Sequence, residues 1–224
     1  VSQLTNYRLK KKGYRMNQIN ISKLVLGPIR TNCYLVHKEN TKECMIIDPA
    51  DQPDRIITAI NDELLEPVAV LLTHGHYDHI GAVEAVKRQF HVPVYAGSEE
   101  KEVLRNSYNN LSELMGEHPF IIDATDYLED MQKLFLAGLN IMALATPGHT
   151  KGGMSYLISC DGEQVLFSGD TLFQGSVGRY DFPTSNGRAL FDSIKNKLLP
   201  LADDTPVFPG HGPATSIGEE RTMF

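Results

Sequence analysis

Between positions 74 and 79 the chain reads His-Gly-His-Tyr-Asp-His, four ionisable side chains (His74, His76, Asp78 and His79) within six residues. They follow a short apolar run, residues 68–72, that reads as a buried strand. Desolvating so many polar groups without a partner is costly, and a metal ion is the simplest partner. Imidazole nitrogen and carboxylate oxygen suit Zn²⁺, Fe²⁺ or Mn²⁺. In a turn, His74 and His76 can converge on one ion while Asp78 and His79 face a second site next door.

The same grammar recurs downstream. Apolar runs end in Thr146-Pro147-Gly148-His149, in Ser168-Gly169-Asp170 and in Pro209-Gly210-His211. In each of these a glycine precedes the metal-capable residue, where the backbone can bend sharply as it leaves a sheet. Strand ends on one edge of a sheet converge, and ligand sites favour such edges. Seven candidate ligands exceed the four that a tetrahedral Zn²⁺ takes. They suit two ions bridged by one carboxylate, about 3.5–4 Å apart as in known two-metal hydrolytic sites.

The elements that must position these groups follow from pattern. Strands are expected at residues 19–27, 33–36, 44–48, 91–96, 134–136 and 140–146, with a hairpin pairing 153–159 with 164–168 around Asp161-Gly162. A last strand is expected at 206–208. Helices are expected at 54–64, where Pro53 presets a start, at 80–90, where Val83, Val86 and Phe90 share one face, and at about 185–199. Ser98-Glu99-Glu100 has the composition of a helix start. Residues 106–126 read as a loop with a short helix, a candidate lid.

At 224 residues and 42% hydrophobic content the chain suits one domain with a sizeable core. No apolar stretch approaches the roughly 18 residues of a membrane span. Residues 1–15 hold five of the 21 basic residues and no acidic one, which leaves the body with 16 basic against 28 acidic residues, a balance of −12. An acidic body argues against nucleic acid as a partner. Residues 1–15 lack an apolar core of a secretory signal and are expected to be a disordered extension, with 16–224 as a single domain. Cys33, Cys44 and Cys160 lie in or beside apolar runs without a C-x-x-C spacing, as expected of free thiols in a reducing cytoplasm. Composition leaves the oligomeric state unread.

The His74-x-His76-x-Asp78-His79 motif, with His149, Asp170 and His211 in order behind it and Asp48 in Ile-Ile-Asp-Pro ahead of it, resembles the metallo-β-lactamase superfamily. The resemblance spans about residues 19–219. It implies an α/β, four-layer αββα sandwich, two sheets packed face to face with helices outside. Asp170 in Ser-Gly-Asp-Thr-Leu-Phe and the loop at 175–181 resemble the short, single-domain glyoxalase II-like hydrolases. By that resemblance His74, His76 and His149 hold one divalent ion, Asp78, His79 and His211 hold the other, and Asp170 bridges. Zinc is the expected metal, with iron or manganese as alternatives. The implied chemistry is attack of activated water on a thioester or ester carbonyl, with Asp78 and Asp170 as catalytic candidates and S-D-lactoylglutathione as lead substrate.

Outer roles follow. Asp48 is expected to tie the ligand loop in place. Thr150 is expected to brace the His149 loop, Arg179 to meet a substrate carboxylate or to pair with Asp181, and Tyr180 and Tyr77 to line the cleft. His37, His91 and His118 are expected at the surface. Only 13 residues follow His211, with Arg221 as their one basic residue. The basic helical region with which long glyoxalase II enzymes hold glutathione is therefore not expected here, and another acyl thioester or ester stands close behind the lead. The alternatives are a mononuclear-iron persulfide dioxygenase, a lactonase, a phosphodiesterase and a non-catalytic metal module.

Overall fold

The computed structural model describes residues 18–224 and the backbone of residues 5–7. In chain order the first half runs β1 (Thr5–Tyr7), β2 (Ile19–Leu26), β3 (Thr31–Lys38), β4 (Glu43–Ile47), α1 (Pro53–Asp62), β5 (Glu66–Leu71), α2 (Tyr77–Ile80), α3 (Val83–Phe90) and β6 (Val94–Gly97). A 3-10 turn at Ser98–Glu100 then leads into α4 (Lys101–Leu104), α5 (Ser112–Met115) and β7 (Asp126–Leu128). The second half runs β8 (Lys133–Leu136), β9 (Leu139–Ala145), β10 (Met154–Cys160), β11 (Glu163–Gly169), β12 (Leu172–Phe173) and β13 (Ser176–Val177). It closes with α6 (Gly187–Ser193), a π-helical turn at Ile194–Leu198, β14 (Pro206–Pro209), β15 (Thr215–Ser216) and α7 (Ile217–Glu220).

Two sheets form, β1 to β7 in sequential order and β15-β14-β11-β10-β9-β8, with β12 and β13 as a separate small hairpin. β4, β5, β6 and β7 run parallel, and β8 to β11 antiparallel. Side chains alternate across a strand, so one strand can feed two apolar layers. β3 does this: Cys33 and Leu35 pack with Ile56 and Ile60 of α1 and Val83 and Val86 of α3, whereas Tyr34 and Val36 face the second sheet. There they meet Tyr156, Ile158, Phe167 and Phe208. β9 repeats the rule, with Ile141 and Ala143 between the sheets and Leu144 turned outward onto Leu190, Ile194 and Leu198. Three apolar layers separated by two sheets make the four-layer αββα sandwich.

Two expectations differ from the structure. The helix expected over 80–90 is split at Gly81-Ala82, because the Ala82 N–H donates to the Pro49 carbonyl (2.9 Å) instead of continuing the helical ladder. A Cβ at Gly81 would also meet the Ala50 carbonyl. In the segment expected to be disordered, the backbone of residues 5–7 pairs with β2, from Thr5↔Lys23 to Tyr7↔Ile21. That pairing occupies main-chain groups that would otherwise leave β2 as a sheet edge. The rest of 1–15 lies outside the described residues. No helix among the described residues is long and apolar enough to cross a membrane.

Candidate metal centre

All seven ligands expected from the sequence meet at one edge of the sandwich. His74 follows the C-terminal end of β5, His149 that of β9, Asp170 that of β11 and His211 that of β14, while α2 carries Asp78 and His79. The ends of β11 and β14 are tied together, since the Gly210 N–H donates to the Gly169 carbonyl (2.8 Å). Gly169 holds φ +51°, a left-handed turn that favours glycine, and a Cβ there would run into Thr73.

Two separate groups of donors result, with a third that overlaps both. The ligand atoms of His74, His76 and His149 lie within 4.8 Å of one another, so do those of Asp78, His79 and His211, and so do those of His74, His79 and Asp170. In the first group His76 Nδ1 faces His149 Nε2 at 2.9 Å. In the second, His211 Nε2 lies 3.3 Å from His79 Nε2 and 3.3 Å from Asp78 Oδ2. Asp170 stands between them. Its Oδ2 is 3.6 Å from His149 Nε2 and 3.4 Å from His211 Nε2, and its Oδ1 is 3.4 Å from His79 Nε2.

The hydrogen bonds behind the ligands aim their lone pairs inward. Asp48, buried, accepts from the Thr73 N–H (2.8 Å), the Thr73 hydroxyl (2.7 Å) and His79 Nδ1–H (2.9 Å). The Thr73 hydroxyl, committed to Asp48, accepts in turn from His74 Nδ1–H at 3.1 Å. One carboxylate therefore places the ring proton of both His74 and His79 on the outer nitrogen and leaves Nε2 free to ligate. His149 Nδ1–H donates to the Arg179 carbonyl (2.7 Å), with the same effect. Thr31, not foreseen from sequence, donates its hydroxyl to Asp78 Oδ2 at 2.7 Å.

Electrostatics separates the two groups. Burial, with the neighbouring imidazoles adding to it, holds His74 and His76 well below the usual histidine range, so both rings are neutral; burial also lowers His149. Burial opposes charge on His79 too, yet Asp78, Asp170 and Asp48 outweigh it and push its pKa up to about 10. Against burial, Asp170 and Asp78 likewise raise His211. Burial alone would raise Asp78, but His79, His211 and the Thr31 hydroxyl hold its carboxyl below the usual carboxylate range.

The donors fit metal ions. His74 Nε2 and Asp170 Oδ1 are buried with no hydrogen-bond partner among the described residues, and buried polar atoms are seldom left so. Five imidazoles and two carboxylates form His/Asp clusters consistent with a dinuclear metal site.

The remaining expected residues are placed unevenly. Thr150 is fully buried and donates to Glu100 (2.9 Å) instead of to a ligand. The Arg179 guanidinium forms a two-pronged pair with Asp181 (2.9 Å each) and lies 4.1 Å over the Phe182 ring. Tyr180 does not line the cleft: its exposed ring packs on Phe191, 6.0 Å between centroids. The reason is local: Arg179 and Phe182 on either side of it line the cleft, and the Tyr180 ring lies outward against Phe191 and Gly187. Tyr77 does line the cleft, a volume of about 270 Å³ above the ligands whose walls are Ile29, Leu111, Met115, Phe173, Val177 and Phe182. Leu111 and Met115 bring the 106–126 segment to its rim, where the Asn110 carbonyl accepts from the Tyr77 N–H at 2.8 Å.

Asp48→Asn tests the outer arrangement. An amide keeps one acceptor oxygen: placed where Oδ2 takes the Thr73 hydroxyl and His79, it turns its NH₂ against the Thr73 N–H, so it cannot serve all three donors. The affinity for the ion near His79 is expected to fall about 10- to 100-fold, read by competition with a chromophoric chelator; unchanged affinity would show that Asp48 does not orient the ligands.

Similarity to known proteins agrees with this geometry. The chain is 35% identical over 206 residues to hydroxyacylglutathione hydrolase GloC of Haemophilus influenzae, covering 91% of this chain and 95% of that protein. Among solved structures it matches BLEG-1 B3 metallo-beta-lactamase with a TM-score of 0.85 at 40% identity, covering 90% of this chain and 96% of the other. It also matches TTHA1623 in a di-iron-bound form with a TM-score of 0.77 at 35% identity, covering 89% and 96%. The model of the metallo-beta-lactamase superfamily matches residues 26–211, which takes in all seven candidate ligands, and it is to this superfamily that the chain belongs.

Proposed function

We propose that the chain is a metal-dependent hydrolase that directs water at a thioester or ester carbonyl, with S-D-lactoylglutathione as lead substrate. The observation that carries this reading is the Asp170 carboxylate, within 3.6 Å of nitrogens from both donor groups. In this reading His74, His76 and His149 hold one ion, Asp78, His79 and His211 the other, and Asp170 bridges; zinc is the expected metal, with iron or manganese as alternatives. When bound, two such ions supply a water of lowered pKa and polarise the carbonyl under attack.

The chain's own residues do the rest. Asp78, kept ionised and tethered by Thr31, accepts a hydrogen bond from the attacking water and fixes its direction. The apolar walls at Ile29, Leu111 and Phe182 exclude bulk water and give the acyl or thiol chain a surface to lie on. No thiol competes as nucleophile, because Cys33 and Cys44 are buried in the sheet–helix layer and Cys160 between the sheets, and burial raises all three, Cys44 to about 12.

A panel of S-D-lactoylglutathione, other acyl thioesters, lactones and β-lactams, assayed alongside metal quantification, tests the reading. Thioester turnover that rises with metal content supports it. Oxygen uptake with a glutathione persulfide, or β-lactam turnover alone, contradicts it. The similarity to BLEG-1 is the reason for the β-lactam arm.

The reading also fixes a pH dependence. In protein stripped of metal by chelation, His79 carries a proton at neutral pH, because its pKa of about 10 lies above that of a free imidazole. This proton stabilises the stripped fold below the free-imidazole pKa and is lost as pH rises through about 10. Ligation needs the neutral ring. Metal uptake at neutral pH is therefore expected to release about one proton or more, and affinity to climb as pH approaches about 10. Calorimetry in buffers of different ionisation enthalpy measures the release; a pH-independent affinity would contradict the assignment of His79.

A further inference from the structure

Glu100 has no place in the mechanism above, yet it is fully buried. It ends the 3-10 turn that leads into α4. Its Oε1 accepts from the Gly75 N–H at 2.7 Å, and its Oε2 accepts from the Thr150 hydroxyl at 2.9 Å. The Gly152 N–H donates to it as well. Gly75 sits between His74 and His76, and Thr150 follows His149. One carboxylate thus grips the two separate loops that supply the first donor group.

The packing leaves these loops no other seat. A Cβ at Gly75 would lie 2.8 Å from Leu104 and 3.2 Å from Glu100 Oε1. A Cβ at Gly152 would run into the backbone of Glu99 and Glu100. The nearest cation, Lys151, pairs with Glu99 and Glu102 at the surface instead. A buried carboxylate without an ion-pair partner is costly to keep. What it provides is acceptance on both oxygens at once, whereas an amide side chain accepts through only one atom. Burial pushes its pKa up to about 7, with the three hydrogen bonds pulling the other way.

We infer that Glu100 is a positioning residue for the first half-site: by clamping Gly75 to Thr150 it holds His74, His76 and His149 in metal-binding geometry. The inference rests on the two-ion reading of the site. On this account the second group, held by Asp48 and Thr31, is independent of Glu100.

Cobalt(II) titration of the stripped protein reads both half-sites, because three imidazoles beside the shared Asp170 and two imidazoles beside Asp78 and the shared Asp170 give different absorption bands. Glu100→Gln is expected to weaken the three-imidazole site about 10- to 100-fold and leave the other near wild type. The stripped variant should melt close to the stripped wild type. Thr150→Val removes only the tether to the His149 loop and should weaken the same site less, which decides the matter if Glu100→Gln does not fold. Equal affinities in variant and wild type would overturn the inference. So would a parallel loss at both sites that tracks a lowered melting point, the mark of a purely structural residue. A wild-type protein that takes up only one cobalt ion at saturation, with a single set of bands, overturns the two-ion reading itself, and the role of Glu100 with it.

Discussion

Asp170→Ala is expected to remove most bound metal and to lower kcat/KM by more than about 100-fold, beyond what the loss of an outer hydrogen-bond partner costs. Among the described residues the carboxylate is the one side chain whose oxygens approach nitrogens of both donor groups, His149 on one side and His79 and His211 on the other. Its Oδ1 is buried and makes no protein hydrogen bond among the described residues, so a metal is the partner the geometry offers it. Without it, the first group keeps three neutral imidazoles and the second keeps Asp78, His79 and His211. Neither can then share a charge that offsets the repulsion of two adjacent dications. Metal content and turnover should fall together, with circular dichroism showing the fold retained. Turnover retained at full metal content would refute the bridging role.

Gly210→Ala should cost about as much for a different reason. A Cβ at this position would sit 2.6 Å from His79 Cε1 and closer still to Asp170 Oδ1. Neither side can yield cheaply. His79 is fixed by its bond to Asp48, and the Gly210 backbone is held by its N–H to Gly169 (2.8 Å) and by its carbonyl, which accepts from Asn32 N–H (2.7 Å). Overpacking of this kind costs about 1–3 kcal/mol, a fall in melting temperature of about 2–12 °C for a chain of this size. Displacing ligands by about 1 Å costs about 100-fold in rate. Gly162→Ala is the control. It lies at the far hairpin with open space around it, strains only its own backbone at φ +83°, and should leave turnover unchanged.

The site was legible in the sequence because its ligands obey local rules. Four of the seven, His74, His149, Asp170 and His211, sit just beyond an apolar run, the last three of these with glycine directly before them, and strand ends must converge where strands lie side by side. The four layers came from the family resemblance: residues 33–36 are apolar throughout, and only the fold shows Cys33 and Leu35 facing the helices and Tyr34 and Val36 facing the second sheet. What failed depended on contacts distant in sequence. Glu100 looks like any glutamate at a helix start, and only folding shows that it reaches Gly75 and Thr150. Thr31 carries no signal that it will meet Asp78, 47 residues away. Tyr180, expected to line the cleft, instead packs outside it, where Phe191 offers its ring a surface. β12, β13 and β15 are two-residue strands, too short for periodicity to register.

The account stands on two ions sharing Asp170, and anomalous diffraction from crystals of the metal-loaded protein tests this most directly. Two anomalous peaks about 3.5–4 Å apart, one among His74, His76 and His149 and the other among Asp78, His79 and His211, with Asp170 between them, is the predicted result. A single peak at full metal loading, or two peaks that do not share Asp170, would contradict it.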